Sequence, residues 1–445
     1  MNFVIKVGPL CNSLIIRGKS LRYLSCLQKS QWFSSNKLKG IQKRRLRLLL
    51  QHAYNNVPYY HKLFKTRHLR PQNIRSIEEL AKMPIISKED FRDSFWEFVS
   101  RNFQTYRPRL NSTSGSTGEP FRYYLGREAT AIANAALWRG WGYAGYRFGD
   151  KMAVLAGLSL VPEKQSPFSQ IISRTIFRKT KLPAINLRRN ILKQYAKKIM
   201  RFKPKFIRGY PSSLYFFADF LKEEGLDDIR PKDILTTAEM LFPYQRKLLE
   251  EVFHCEVFDG FGALDGGTTA FECEEHSGYH IAMEKTIMEF LDKNGNPVTG
   301  ERGRIIATDL YNYAMPFIRY DTGDMGVLSD ETCQCGRGLP LMKEILGRTT
   351  DILKFKNGSI LSGPSLTLIF KDFDIKQYQL IQRRDDSLSV KLIKGKTYTE
   401  EDTLRLHMIL RKNIGEGVEI EFDFVDCIPT TEIGKWKLII SEAKS

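Results

Sequence analysis

Asn111-Ser-Thr-Ser-Gly-Ser-Thr-Gly-Glu-Pro120 is the stretch on which the reading of this chain turns. It gathers hydroxyls and glycines into a loop with little side-chain bulk. Backbone N–H groups, with the hydroxyls of Thr113, Ser114, Ser116 and Thr117, can close around a phosphate chain, and Gly115 and Gly118 keep the loop slim. A Walker loop is excluded, because Glu119 and Pro120 stand where that motif has Lys and Ser/Thr. A Ser/Gly loop alone is a plain surface turn at least as often as a phosphate cradle. Its weight comes from three segments further on: Tyr320-Asp-Thr-Gly-Asp324, Gly347-Arg-Thr-Thr-Asp351 and Pro429-Thr-Thr-Glu-Ile-Gly-Lys435.

Outward from the loop, apolar strands alternate with helices. Arg127–Trp141 reads as a helix and Met152–Ala156 as a buried strand. Helices at about 187–202, 212–224 and 243–252 then alternate with strands at about 205–208, 233–237 and 255–258, the rhythm of a largely parallel sheet with helices. From Tyr279 the pattern changes. Asp292-Lys-Asn-Gly-Asn-Pro297 signals a hairpin, and β-rich segments on either side suggest an antiparallel subdomain to about residue 346. Residues 347–445 read as a small α+β domain, with strands near 376–393 and 417–425 and a helix near 400–413. Before the loop, Leu38, Ile41, Leu46, Leu49 and Ala53 make an apolar stripe at helical spacing, ended by Pro58. The expected fold class is α/β, with boundaries at 1–36 (a basic arm), 37–346 (a large multi-subdomain unit) and 347–445 (a small lid).

The charge is unevenly placed. The net value is +19, yet residues 1–77 hold sixteen Lys/Arg and no Asp or Glu, and the remainder is close to balance. Such a segment seeks an anionic partner or is simply a solvated face. Interleaved Phe3, Tyr23, Trp32 and Phe33 suit an interfacial helix on an anionic membrane surface better than specific nucleic-acid readout. The first 35 or so residues also match the composition of an organellar presequence. No stretch approaches the roughly 20 apolar residues of a spanning helix. Seven cysteines without a secretory signal make no disulfide framework, so the expected compartment is the cytosol, with peripheral contact to the inner face of the membrane.

Four of the soft ligands are compactly spaced: Cys273-x-x-His276 and Cys333-x-Cys335. Three thiolates and an imidazole suit a tetrahedral, structural Zn²⁺, and four protein ligands leave no open position for catalysis. Free thiols in a loop, or His280 in place of His276, are the alternatives.

In order and spacing, the Ser/Gly loop and the three later segments resemble the adenylate-forming ligases, and above all their phenylacetate–CoA ligase-like branch, which includes proteins of capsular polysaccharide synthesis. The resemblance runs from about Lys37 to the end, supported by Asn55-Asn-Val-Pro-Tyr-Tyr60, Arg208-Gly-Tyr-Pro-Ser-Ser-Leu214, Thr237-Ala-Glu239 and Cys335-Gly-Arg337. It implies ATP-dependent adenylation of a carboxylic acid and transfer of the acyl group to an acceptor, by default coenzyme A. A saccharide precursor is the second acceptor it suggests.

The resemblance also implies roles. Lys435 would be the catalytic lysine of the small domain, with Lys437 its rival. Residues Thr113 to Gly118, Glu239, Phe261, Asp324 and Arg348 would bind the nucleotide, Phe261 near adenine and Asp324 on the ribose hydroxyls. Asp265 would hold the Mg²⁺ that bridges ATP phosphates. Phe261 and Asp265 stand where most of the family has Tyr and Glu, and Thr350 occupies the usual hinge position before Asp351. A non-catalytic nucleotide-binding scaffold is the alternative that these departures allow.

Overall fold

The computed structural model describes residues 2–112, 121–157, 160–161, 173, 175, 178–184, 187–348, 352–362, 366, 369–370, 372–415, 417–429 and 437–442, with the backbone alone for 2–14, 348, 352, 360 and 362. Two compact units divide the chain: residues 1–148 with 258–345, and residues 149–257 with 346–445. This grouping differs from the sequence boundaries at 36/37 and 346/347, because residues 1–36 and 149–257 fall within the units.

The first unit opens with α1 (Asn2–Ser30), α2 (Ser35–Asn56) and α3 (Pro58–Thr66). Pro58 occupies the first position of α3, after the extended Val57 that closes α2. On α1, Ile16, Ser20, Leu24, Leu27 and Ser30 are buried, a helical row packed on α6 (Arg127–Tyr143). At the end of that row Arg139 and Glu284 form a buried ion pair of 2.7 Å. The Ser30 hydroxyl donates to Glu284 at 2.5 Å, and the Leu27 carbonyl accepts from Arg139 at 3.3 Å. From Ile16 onward the basic arm read at 1–36 is therefore part of the unit. The reason is its period, which puts small and apolar residues on one face and leaves the basic ones outside.

Antiparallel strands build the sheet of this unit. They are β7 (Glu256–Gly262), β8 (Thr269–Glu272), β9 (Tyr279–Ile281), β10 (Thr286–Leu291), β11 (Arg302–Asp309), β12 (Tyr320–Leu328) and β13 (Leu341–Arg348), in the order β10-β11-β12-β13-β9-β8-β7. The hairpin read at Asp292 lies between β10 and β11, where Asp292 Oδ1 accepts from the N–H groups of Asn294 and Asn296, each at 2.8 Å. A short ribbon, β1 (Arg109–Ser112) with β2 (Arg122–Leu125), flanks the Ser/Gly loop.

The second unit holds the parallel strands β3 (Met152–Ala156), β4 (Lys179–Pro183), β5 (Phe206–Gly209) and β6 (Asp233–Thr237), in the order β4-β3-β5-β6. Helices α7 (Arg189–Phe202), α8 (Pro211–Glu223) and α9 (Pro243–Phe253) pack their apolar faces with these strands around Leu155, Ile207, Phe217, Ile234 and Phe253. The C-terminal part adds a hairpin, β14 (Ile352–Lys354) with β15 (Ile360–Ser362). Its larger sheet comprises β16 (Ile375–Gln382), β17 (Leu388–Lys394), β18 (Ile420–Phe424) and β19 (Ile439–Ser441), ordered β18-β17-β16-β19. Helix α10 (Glu400–Ile414) starts with a capping box of Thr399 and Asp402 and buries Leu406, Leu410 and Ile414. The architecture is mixed α/β with a small C-terminal α+β part, the class the sequence predicts.

Candidate active site and cysteine–histidine cluster

Asp265 sits on the turn between β7 and β8. Ala263 N–H reaches Thr268 Oγ1 at 2.9 Å, and Gly266 and Gly267 follow with φ of +76° and +71°. Two successive left-handed residues need glycine, and both are also packed too tightly for a side chain. A Cβ at Gly266 would lie 2.8 Å from the Tyr320 ring, and one at Gly267 would lie 2.5 Å from Asp309 Oδ2. The turn thus carries the Asp265 carboxylate on rigid backbone. That carboxylate is nearly buried, accepts from the Tyr320 hydroxyl at 3.0 Å and faces the Lys88 ammonium at 3.7 Å. Lys88 begins a short helix (Lys88–Asp93) whose capping box pairs Ser87 with Asp90.

Tyr320 opens β12, and Asp324 follows within the same strand. Ile306 pairs with Asp321 and Arg304 with Met325, so Ile305 alone faces Thr322, Gly323 and Asp324. The Thr-Gly-Asp triplet is therefore a bulge, which lifts Asp324 out of the ladder. Gly323 turns with φ +73°, its N–H bonds Asp321 Oδ1 at 2.9 Å, and Asp324 N–H bonds Thr322 Oγ1 at 3.1 Å. Phe261 pairs with Ala270 and lies half-buried against Ile281, Phe290 and Met342, so its ring is first of all a core element.

In the second unit, Glu239 Oε2 accepts the Ser212 N–H at 3.1 Å, one of the orphan donors in the first turn of α8. Glu239 thus caps the Tyr210-Pro-Ser-Ser213 segment, and Tyr210 itself is fully buried. Burial pushes the Arg208 guanidinium down to about 10, with Tyr210 offsetting part of the effect.

The cysteine–histidine cluster lies in the first unit. Cys273, His280, Cys333 and Cys335 bring their ligand atoms within 4.8 Å of one another. Cys273 Sγ is 3.6 Å from Cys333 Sγ, and Cys335 Sγ is 3.3 Å from His280 Nε2. Tetrahedral Zn²⁺ with Zn–S bonds of about 2.3 Å sets sulfurs about 3.8 Å apart, so the donor set fits that ion. The histidine expected from spacing was His276, and the structure corrects it to His280. His276 donates its N–H to the Cys273 carbonyl at 3.0 Å in a tight turn with φ +47°, which turns its ring onto Phe258 and Glu272. His280 instead stands on β9, opposite Phe271 and Leu341, beside the Cys333–Cys335 turn. Burial and the neighbouring Arg337 hold its imidazole down at about 4, so it is neutral and able to ligate.

Residues 353–442 match the model of the CapK C-terminal domain. The chain is 25% identical over 362 residues to phenylacetate-coenzyme A ligase of Thermus thermophilus, covering 79% of this chain and 80% of that protein. It is 23% identical over 430 residues to protein CapK of Staphylococcus aureus, covering 92% and 90%. A 2-hydroxyisobutyryl-CoA ligase, solved in the postadenylation state in complex with 2-HIB-AMP, superposes with a TM-score of 0.74 at 20% identity over 92% of this chain and 90% of that one. Across most of its length the chain is thus similar to phenylacetate-coenzyme A ligases and to protein CapK, and it shares its fold with an acyl-CoA ligase.

Several superfamily positions named from sequence fall outside the described residues: Thr113, Ser114, Gly115, Ser116, Thr117 and Gly118 of the loop, Lys435, and the hinge pair Thr350 and Asp351. Arg348 closes β13, and its side chain is likewise outside them. Sequence reasoning missed Lys88, Lys285, Asp309 and Tyr320, which the fold gathers around the Asp265 turn. Tyr320 lay inside a segment already singled out, Tyr320–Asp324, whereas Lys88 did not. Lys285 and Asp309 carried no local signal.

Proposed function

We propose that the chain activates a carboxylic acid with ATP and passes the acyl group to an acceptor, with coenzyme A as that acceptor. The observation that carries this reading is that one strand, β12, supplies both a ribose-type carboxylate and the support for a metal-type carboxylate: Asp324 in its bulge, and the Tyr320 hydroxyl that holds Asp265. In the first step a carboxylate oxygen bonds to the α-phosphorus while the bond to pyrophosphate breaks, and pyrophosphate leaves with the electron pair. In the second the acceptor bonds to the acyl carbon and AMP leaves.

The residues divide this work by charge. Asp324 accepts hydrogen bonds from the ribose hydroxyls and fixes the sugar. The Ser/Gly loop from Thr113 to Gly118 donates to phosphate oxygens, and Lys435 adds a point charge between carboxylate and α-phosphate. A bound Mg²⁺ would supply positive charge that offsets that of the phosphates. Asp265 would hold that ion, as a hard oxygen ligand for a hard cation, in place of the Lys88 ammonium that now faces it at 3.7 Å. Glu239 keeps the start of α8 in place beside the adenine, and Arg348 meets the ribose or phosphates.

The Cys273–His280–Cys333–Cys335 cluster takes a structural Zn²⁺. Cytosolic placement goes with an anionic membrane surface as partner, supported by the outward row Lys39, Lys43 and Arg47 on α2, a helix without an acidic residue. Kinship with CapK supports a saccharide precursor as the second candidate acceptor.

The test is carboxylate-dependent exchange of labelled pyrophosphate into ATP across aryl, fatty, hydroxy and amino acids, beside Lys435→Ala. Exchange with one acid class, lost in the variant, is expected. ATP binding without exchange for any acid would support the non-catalytic scaffold instead.

A further inference from the structure

Beneath the Asp265 turn lies a fully buried lysine. Lys285 is 2% exposed, and its ammonium donates to the Gly267 carbonyl. Its backbone is pinned on both sides, with N–H to the Ala282 carbonyl at 3.0 Å and its own carbonyl accepting Leu310 N–H at 3.0 Å. Asp309, at the end of β11 and 1% exposed, flanks the same glycine. A Cβ on Gly267 would come 2.5 Å from Asp309 Oδ2 and 2.8 Å from Lys285 Nζ, so both charges converge on this Cα. Asp309 Oδ1 is held in turn by the Tyr311 N–H at 2.9 Å. Burial lowers the Lys285 ammonium, and Asp309 partly offsets that.

Two carboxylates and two ammoniums thus surround one four-residue stretch. Lys88 is 20% exposed and faces Asp265 from the open side, so it can move aside. Lys285 cannot, because its length is enclosed and both its backbone groups are bonded. A buried ammonium is costly where a neutral amide could make the same single hydrogen bond to Gly267. The charge itself therefore has a role at this position.

We propose that Lys285 is a positioning residue for Asp265: with Asp309 opposite, its ammonium locks the Gly266–Gly267 turn so that the carboxylate on that turn meets a divalent cation in one fixed pose. The inference rests on the reading of Asp265 as the metal carboxylate. Tyr320 completes the frame from the other side, packing on Gly266 and bonding Asp265. A mobile turn would still present Asp265, but in many poses, and affinity for the metal–nucleotide pair would fall while the fold persisted.

The test titrates Mn²⁺ into full-length protein with ATP and no acid, reading bound Mn²⁺ by electron paramagnetic resonance. Lys285→Met removes charge and hydrogen bond, whereas Lys285→Gln keeps a donor for the Gly267 carbonyl without charge. Asp309→Asn removes the facing charge. Lys285→Met is expected to weaken Mn²⁺–ATP binding about tenfold and to speed amide hydrogen exchange across residues 263–268. In the exchange assay the acid KM stays unchanged while the Mg²⁺ requirement rises. Lys285→Gln, which serves if Lys285→Met does not fold, should show the same fast exchange and weakened metal binding, because its amide lacks the charge that Asp309 faces. Wild-type Mn²⁺ affinity in folded Lys285→Met or Lys285→Gln would overturn the proposal. Asp265→Asn separates the two ideas: if it binds Mn²⁺–ATP as the wild type does, the metal reading of Asp265 fails, whatever Lys285 does to the turn.

Discussion

Removing the basic N-terminal segment should unfold the first unit, not merely strip an accessory. Residues 16–31 bury Ile16, Leu24 and Leu27, each contributing about 1.5–3 kcal/mol. Their loss totals roughly 5–9 kcal/mol, a large share of the 5–15 kcal/mol that holds a typical domain together. The deletion also uncovers the Arg139–Glu284 pair and frees the Gly338 N–H, which donates to the Gln31 carbonyl at 2.8 Å. A milder perturbation gives a number that can be measured. Leu27→Ala should cost about 2–5 kcal/mol by transfer and cavity terms. In a unit of about 240 residues that lowers the melting temperature by roughly 4–20 °C. The assay is thermal unfolding by circular dichroism of full-length protein, Leu27→Ala, the exposed control Arg22→Gln, and a form lacking residues 1–36. The control should melt within about 1 °C of the parent, since surface changes away from such contacts are nearly neutral. A truncated protein that stays monodisperse and melts with the parent would refute the reasoning.

The other predictions concern the sites. Purified chain should carry one equivalent of zinc, which Cys335→Ser and His280→Ala lose and His276→Ala retains; elemental analysis of the dialysed proteins decides between the histidines. Asp324→Ala should raise the ATP KM by about 10- to 150-fold, the equivalent of one or more charge-assisted hydrogen bonds of about 1.5–3 kcal/mol, read in steady-state exchange kinetics. Glu239→Ala should cost about 0.5–2 kcal/mol by uncapping α8, seen as a shifted denaturation midpoint with an unchanged slope.

Much of this protein is legible where local periodicity and function coincide. Met152–Ala156 alternates nothing and is buried throughout, so a wholly apolar run gave a buried strand directly. Asp292-Lys-Asn-Gly-Asn-Pro297 specified its own hairpin, because its turn chemistry is local. Misreadings arose where partners lie far apart in the chain. Residues 1–36 look like an arm until Glu284, more than 250 residues away, is seen bonding Ser30. Spacing chose His276 over His280, because Cys-x-x-His is a short-range pattern and a strand register is not. Lys285 and Asp309 meet at Gly267 only through sheet geometry, and a single lysine between apolar strands has no signature of its own.

The most direct test of the central claim is a single turnover of ATP labelled at the α-phosphate, with the acid selected by the exchange screen and no acceptor. Mass spectrometry should find one enzyme-bound acyl-AMP per chain, matched by one pyrophosphate, then AMP and a thioester on adding coenzyme A. Cleavage of ATP to ADP and phosphate, or ATP recovered intact from folded, nucleotide-bound protein, would contradict the account.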